Sequence, residues 1–404
     1  YSIFAKGPKM TKRFLMISCA LLMTACSGSS DAGANSAKGG GDPALQETLA
    51  DPAPDGQLAL NVEVLAEGLV NPWSIAFLPD GDMLVSERAG RLRIIRDGAL
   101  VADPVSGLPD IHPGRQAGLF DILPHPNFSE NGWLYIAYAN GSNRANATRI
   151  ARAKYADGAL TDLEVLYDAV PNKDTNHHYG GRMVWGGDAK LYVTIGEGSK
   201  YKEKAQDMKT SFGAVVRLNE DGSIPDDNPV FGDGSRPELW TKGHRNPQGF
   251  VYDQARDVMW ETEHGPRGGD ELNIIEPGNN YGWTLASYGI DYKGAKITPF
   301  TEYEGTPQPV KYWTPSIATS GLAVYRGDMF AGWDGDLLVG ALAGSALHHV
   351  MMDGNTLAGE ERYLLDRGER IRDVRVGPDG AIYVATEMTN DPEASGKVLR
   401  LTPQ

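Results

Sequence analysis

Four stretches of this chain carry side chains at spacings that chemistry can use. In Asn176-His177-His178-Tyr179-Gly180-Gly181-Arg182, two adjacent histidines sit in a glycine-rich loop just ahead of strand-forming residues. Such a loop can hold an imidazole at a cleft. Histidine titrates near neutral pH and suits general-base work, typically worth ~10²–10⁴-fold. Taken alone, a hydrogen-bonded loop histidine explains the stretch as well. Trp240-Thr241-Lys242-Gly243-His244-Arg245-Asn246-Pro247-Gln248-Gly249 places a fixed fork of donors, Arg245, beside an amide, Asn246, that both donates and accepts. The pair suits an oxygen that develops negative charge; a turn with a surface arginine is the plainer alternative. Glu263-His264-Gly265-Pro266-Arg267-Gly268-Gly269-Asp270-Glu271-Leu272-Asn273 is dense in oxygen. Its Gly and Pro interrupt a strand and free carbonyls, and carbonyls with carboxylates suit a hard cation such as calcium. An ordinary acidic loop has the same composition. In Arg370-Ile371-Arg372-Asp373-Val374, strand residues i and i+2 share a face, so both guanidinium groups point one way. That is unfavourable unless an anion lies between them, and a di- or tricarboxylate ligand is the simple candidate, each charge-assisted bond contributing ~1.5–3 kcal/mol. Two solvated arginines at a rim are the alternative. Together the stretches describe a base, an oxyanion clamp, a hard-cation site and an anion grip. An anionic quinone acting as redox cofactor would use all four. The chain contains no His-Glu-x-x-His, Cys-x-x-Cys, Gly-x-Ser-x-Gly or EF-hand pattern, which weighs against zinc and serine hydrolysis.

Strands must position these loops. One phrase recurs from residue 60 onward, a polar turn followed by a short β-branched or aromatic run. Pro79-Asp80-Gly81-Asp82 leads into Met83-Leu84-Val85, and Asn131-Gly132 into Trp133-Leu134-Tyr135-Ile136. Gly187-Asp188 precedes Leu191–Ile195, and Asp257 precedes Val258-Met259-Trp260. Asp334-Gly335-Asp336 leads into Leu337-Leu338-Val339, and Pro378-Asp379-Gly380 into Ala381-Ile382-Tyr383-Val384. Turn chemistry before such runs signals strands, and a spacing of roughly 45 to 75 residues fits one four-stranded blade each. Second strands follow at Arg91–Ile95 and Lys397–Leu401. Six units predict an all-β fold, a six-bladed β-propeller spanning 59–404 with long loops around a central channel. Val62-Glu63-Val64-Leu65 is the candidate to pair into the last blade and remove the free edge. Two small β-sandwiches are the structural alternative. The glycine-rich stretches 171–187, 196–212, 241–248 and 263–294 are the expected site.

Composition agrees. The chain has 404 residues, 49 of them Gly, against an average usage of about 7 %. No apolar run approaches the ~20 residues of a membrane-spanning helix. A net charge of −15 argues against nucleic acid as a partner. Met10 opens an export signal, with Lys12 and Arg13 before the apolar run Phe14 to Ala25. Leu22-Met23-Thr24-Ala25-Cys26 resembles a bacterial lipoprotein cleavage box; cleavage near Ala25 without lipidation is the alternative. Residues 1–25 are then a lipoprotein-type signal, and Cys26 becomes the lipidated N-terminus. The protein would be periplasmic, bound to a membrane (the outer one being expected) through that lipid only. Losing the signal removes four basic residues and no acids, taking the charge to −19. Residues 26–58 read as a flexible tether with a span on the order of 30 Å. Gly39-x-Gly41-x-x-Ala44 within it lacks the strand and helix that a nucleotide-binding loop needs.

Five motifs in order resemble the soluble quinoprotein glucose/sorbosone dehydrogenases, in particular the bacterial aldose sugar dehydrogenases. They are His178-x-x-Gly181-Arg182, Gly243–Gly249, Glu263–Glu271, Asn280-Tyr281-Gly282-Trp283 and Arg370–Asp373, and the similarity runs over roughly residues 62–403. The resemblance implies a six-bladed propeller using pyrroloquinoline quinone (PQQ) and calcium to oxidise aldose sugars at C1 to lactones. Electrons would pass to a cytochrome or the quinone pool. It implies that His178 is the base, with His177 where some relatives carry an orienting acid, and that Gln116 lies at the site. It places Arg245 and Asn246 over the quinone oxygens, and Tyr292 against the cofactor. Arg370 and Arg372 would grip its carboxylates. The carbonyls of Gly265 and Pro266 would bind the cofactor's calcium, and Glu271 with the backbone of Tyr281 a second, structural one.

One position departs from the pattern. In Leu337-Leu338-Val339-Gly340-Ala341-Leu342-Ala343-Gly344, relatives usually carry a lysine where this chain has Ala343. Losing that contact implies weaker cofactor retention, on the order of 1–3 kcal/mol, or compensation by a neighbouring loop. A calcium-dependent lactonase would need a carboxylate-lined channel, against which Arg245, Arg370 and Arg372 argue. A propeller that binds sugar or protein without turnover is the second alternative, and Ala343 is the feature that favours it.

Overall fold

The computed structural model describes residues 53–388 and 395–404. The signal, Cys26 and most of the tether lie outside the described residues. Six four-stranded antiparallel sheets make up the described chain, the blades of a propeller. In order they comprise residues 72–100, 119–168, 180–242, 247–313, 319–363 and, for the sixth, 370–403 with 60–69.

Each recurring phrase is the first hairpin turn and second strand of one blade. The turns form because short polar side chains close them. Asp80 Oδ1 accepts from Asp82 N, Asn131 Oδ1 from Trp133 N, Asp188 Oδ1 from Lys190 N and Asp379 Oδ1 from Ala381 N. The second strands Met83–Glu87, Leu191–Ile195, Leu337–Ala341 and Ile382–Glu387 are buried along their whole length, because each is covered on both faces by neighbouring blades. Six apolar clusters occupy the six blade interfaces. Strand Leu60–Leu69 pairs antiparallel with Gly396–Pro403 from Leu60↔Pro403 to Leu69↔Gly396, and so supplies the outer strand of blade 6. The tether gives way at its C-terminal end. Pro54 and Gly56 exchange main-chain hydrogen bonds with Arg362, and Leu58 packs on the core between blades 5 and 6.

The innermost strands are Pro72–Phe77, Leu119–Pro124, Gly180–Trp185, Pro247–Asp253, Thr319–Val324 and Arg370–Val376. Every one of them carries a bulge against its neighbour near its first residues. A bulge breaks simple alternation and re-aims side chains. Asp121, Arg182, Gln248 and Arg372 all lie at these bulges. Arg182 meets Asp121 at 3.3 Å and Asp373 at 3.1 Å, donates to the Gln248 carbonyl at 2.9 Å, and stacks on Trp73 at 4.3 Å. Arg375 closes the network on Asp121 (3.1 Å) and Asp373 (2.9 Å).

Candidate active site

The connections that enter the innermost strands, and those joining second to third strands, collect at one face of the ring. His178 sits two residues before the inner strand of blade 3, with a left-handed backbone, φ 48°. Gln116, from the connection into blade 2, accepts from its backbone N–H at 2.7 Å. Its ring Nδ1 lies 2.8 Å from Glu197 Oε1. Burial first, then the cations Arg245 and Lys173, hold the imidazole well below its ordinary pKa. It is therefore neutral at neutral pH. With Nδ1–H donated to Glu197, Nε2 is left as the accepting atom. Burial pushes the Glu197 carboxyl up to about 7, against the pull of Arg245 and Lys173.

Asn246 lies beside this histidine, its Oδ1 accepting from Gly180 N at 3.2 Å. The Arg245 guanidinium donates to the carbonyls of His264 (2.9 Å) and Gly265 (2.7 Å), reaches the Tyr292 hydroxyl at 3.5 Å, and lies over Trp283. Among the described residues no carboxylate is paired with it. Tyr292 itself is 69 % exposed. Arg370 and Arg372 converge as expected, but on the chain's own Glu387, whose Oε1 lies 3.1 Å and 3.2 Å from them. Arg372 also donates to Gln248 Oε1 at 3.0 Å. This corrects the sequence argument twice. Arg372 is the extra residue of a bulge between Ile371 and Asp373, so alternation is not what aligns the pair. The countercharge is internal, so the pair does not by itself require a ligand. Ala343 is exposed, and its neighbour Leu342 offers its carbonyl to Arg370 at 3.1 Å.

Two groups implied by the motifs can be tested against these residues. Arg370 and Arg372 share Glu387, and the Arg245 guanidinium has no carboxylate partner among the described residues. Guanidinium donors of this kind fit a polyanion such as PQQ. For calcium, Glu263, Gly265, Pro266, Glu271 and Tyr281 line one small cavity with Arg245. Glu261, Glu263 and Glu271 are packed together below it. Burial and the neighbouring Glu263 raise Glu261 well above the usual range and Glu271 to about 8. Glu261 Oε1 is buried without a partner. Ligand atoms of His244, Glu261 and Glu263 lie within 4.8 Å of one another. Crowded, buried carboxylates of this kind fit a hard divalent cation. The Gly265 carbonyl is held by Arg245, so a cation there would share it.

Sequence reasoning missed Glu197, Lys173 and Glu387. His177 is not the orienting partner, and the carboxylate on the imidazole comes from the next loop. Its one visible signal is Gly196-Glu197-Gly198, an acid between glycines immediately past Leu191–Ile195.

Comparison with known proteins converges on one family. A family model described as Glucose / Sorbosone dehydrogenase matches residues 69–400. The aldose sugar dehydrogenase of Escherichia coli is 40 % identical over 85 % of this chain and 93 % of its own. Quinoprotein glucose dehydrogenase B of Acinetobacter calcoaceticus is 28 % identical over 84 % and 90 %. The apo crystal structure of the E. coli enzyme superposes with a TM-score of 0.81 at 39 % identity, over 86 % of this chain and all of that one. A PQQ-bound aldose sugar dehydrogenase from Streptomyces coelicolor gives 0.71 at 26 % identity, again over 86 % of this chain and all of its own.

Proposed function

Because the chain belongs to the glucose/sorbosone dehydrogenase family, we propose that it is a PQQ- and calcium-dependent dehydrogenase that oxidises aldose sugars at C1 to lactones. The observation that carries this reading is the neutral imidazole of His178, fixed through Nδ1 on Glu197 in the field of Arg245. Bound PQQ, with calcium as Lewis acid, supplies the two-electron acceptor for the C1 hydride.

The chain's own residues do the rest. His178 Nε2 takes the proton of the anomeric hydroxyl. Glu197 holds the Nδ1–H tautomer and stabilises the imidazolium as it forms. Gln116 fixes the His178 backbone, so the ring does not swing away from the sugar. Arg245 and Asn246 would hold the quinone edge of the cofactor with their donors. Arg370 and Arg372 would hold its carboxylates while sharing Glu387. The carbonyls of Gly265 and Pro266 would hold the cofactor's calcium, and Glu271 with the backbone of Tyr281 a second.

The test is a dye-reduction assay on the full chain across a panel of aldoses. Sugar-dependent bleaching of an artificial electron acceptor should require both PQQ and calcium, and His178→Gln should abolish it. Absence of bleaching with both present would overturn the reading. We propose further, on the signal-like run from Met10 to Cys26, that the protein acts in the periplasm, held by a lipid on Cys26. Cys26→Ser should move it from the membrane to the soluble fraction of the periplasm, and retention on membranes would refute the anchor.

A further inference from the structure

Lys173 is only 3 % exposed, and its ammonium is spent on main chain. It donates to the His177 carbonyl at 2.5 Å and the His178 carbonyl at 3.0 Å, and sits 3.3 Å from the centre of the Tyr179 ring. Among the described residues no carboxylate forms an ion pair with it. Burial holds the Lys173 ammonium well below its ordinary pKa, with the nearby Glu197 carboxylate pulling the other way; such burial is unfavourable, and a methionine would fill the same space without that desolvation. Stability alone does not account for a lysine here. What it holds does. A non-glycine residue at φ 48° is uncommon, and His178 is kept there from three sides: Gln116 on its N–H, Lys173 on its C=O, Glu197 on its ring.

We propose that Lys173 is a positioning residue for His178, clamping the His177–His178 main chain in its left-handed turn and standing as a cation near the Glu197 carboxylate. The inference rests on the reading of His178 as the base. Lys173 touches no substrate; it acts through the histidine and the glutamate.

The charges around the pair show how. Glu197 lies in the field of Lys173, Arg245 and Lys202. His178 faces Glu197, Arg245, Lys173, His177 and His264. While Glu197 is an anion, it accepts Nδ1–H and leaves the Nε2 lone pair free. A protonated Glu197 would donate to Nδ1 instead, leaving the hydrogen on Nε2, and that tautomer cannot take a proton from the sugar. Lys173 and Arg245 both favour the anion. Removing Lys173 raises the proton affinity of Glu197 and of His178 alike, so the base works only at higher pH.

The experiment compares the full chain with Lys173→Met and Lys173→Arg. Lys173→Met should lower kcat at pH 7 by ~10-fold or more, leave KM for the sugar within ~3-fold, and move the acid limb of kcat/KM upward by about half a pH unit or more. Lys173→Arg keeps cation and donors, and should restore the limb and most of kcat. Spectra of ¹⁵N-histidine-labelled apo protein read the same point without turnover. The His178 signal, assigned by its loss in His178→Gln, should report Nδ1–H at pH 7 in wild type and lose that signature in Lys173→Met. Wild-type kcat, limb and ¹⁵N signature in Lys173→Met would overturn the proposal. Should that variant not fold, Lys173→Gln, which keeps neutral donors only, carries the same expectations and the same refutation. Failure of the wild type to oxidise any sugar would sink the dehydrogenase reading, while the ¹⁵N spectra still decide the role of Lys173.

Discussion

Glu197 serves catalysis at the expense of stability. It is 1 % exposed, and burial lifts its pKa from 4.5 to about 7. The folded value lies above the unfolded one, so the native state keeps this proton longer than the unfolded chain does. Stability is then lost as pH rises through the window from 4.5 to about 7, with an upper bound of roughly 3 kcal/mol at pH 8. Glu197→Gln should remove that loss. Its Tm should exceed the wild-type value at pH 8 and match it at pH 4, while kcat/KM falls by ~10²-fold or more because the amide fixes neither tautomer. Thermal melts at both pH values check the sign; a variant less stable at pH 8 would show that the carboxylate stabilises the fold. Glu197 left only a faint mark in the sequence, an acid between glycines, and Lys173 none, since neither has a periodicity to betray it. The histidine and arginine motifs were legible because unusual residues cluster there. Ala343 was legible only as a departure. It lies next to the carbonyl that holds Arg370, so a lysine there would reach the anion grip. Ala343→Lys should tighten PQQ binding to the apo-protein by roughly 5–150-fold in an equilibrium titration, and equal affinities would refute that.

At the scale of elements, what the sequence announced was the outer frame of each hairpin. The Asp, Asn and Gly turns and the buried second strands stand out because turn chemistry and a continuous apolar run coincide. The inner strands did not announce their bulges, for one extra residue leaves the composition unchanged. That is why Arg370 and Arg372 were aligned by the wrong rule, and why Glu387 was not seen between them. The segment between Asp270–Ile274 and Lys311–Trp313 also hides its fold. It runs back to the site face, where Tyr281 N–H donates to the Lys242 carbonyl at 2.8 Å and Ile290 exchanges hydrogen bonds with Arg267. This insert lays Tyr281 against His244 and brings Tyr292 to Arg245. Its docking beside Glu261, Glu263 and Glu271 predicts a calcium-linked stability. With calcium chelated, Tm should fall as pH rises toward 8, because Glu271, raised to about 8, ionises only at the expense of the folded state. Calcium at 100 times its Kd should add about 2.7 kcal/mol. Glu271→Gln should weaken the pH dependence, to which the equally buried Glu261 also contributes, and reduce the calcium response, which calorimetry with and without chelator would read directly.

A propeller ring holds together only if its first and last blades are joined and its inner strands are tied across the channel. The strand Leu60–Leu69 performs the first task by completing blade 6 from the opposite end of the chain. Arg182 performs the second. From blade 3 it reaches Trp73 of blade 1, Asp121 of blade 2, the Gln248 carbonyl of blade 4 and Asp373 of blade 6. Both carboxylates are also anchored to main chain, Asp121 by Met183 N–H and Asp373 by Ile75 N–H, each at 2.9 Å. The charges balance only with both arginines present, two against two. Arg182→Leu leaves Asp121 and Asp373 sharing Arg375 alone, with one negative charge uncompensated in the channel. Breaking a buried pair from one side costs about 3–5 kcal/mol, which for a domain of this size lowers Tm by roughly 4–7 °C. Replacing all four of Arg182, Arg375, Asp121 and Asp373 with apolar residues of similar volume should recover much of that loss, because no charge of the network is then left unpaired. A single Arg182→Leu variant melting within 2 °C of wild type would mean that the channel network is not what ties the inner strands, and that closure rests on the Leu60–Leu69 strand and the apolar blade interfaces.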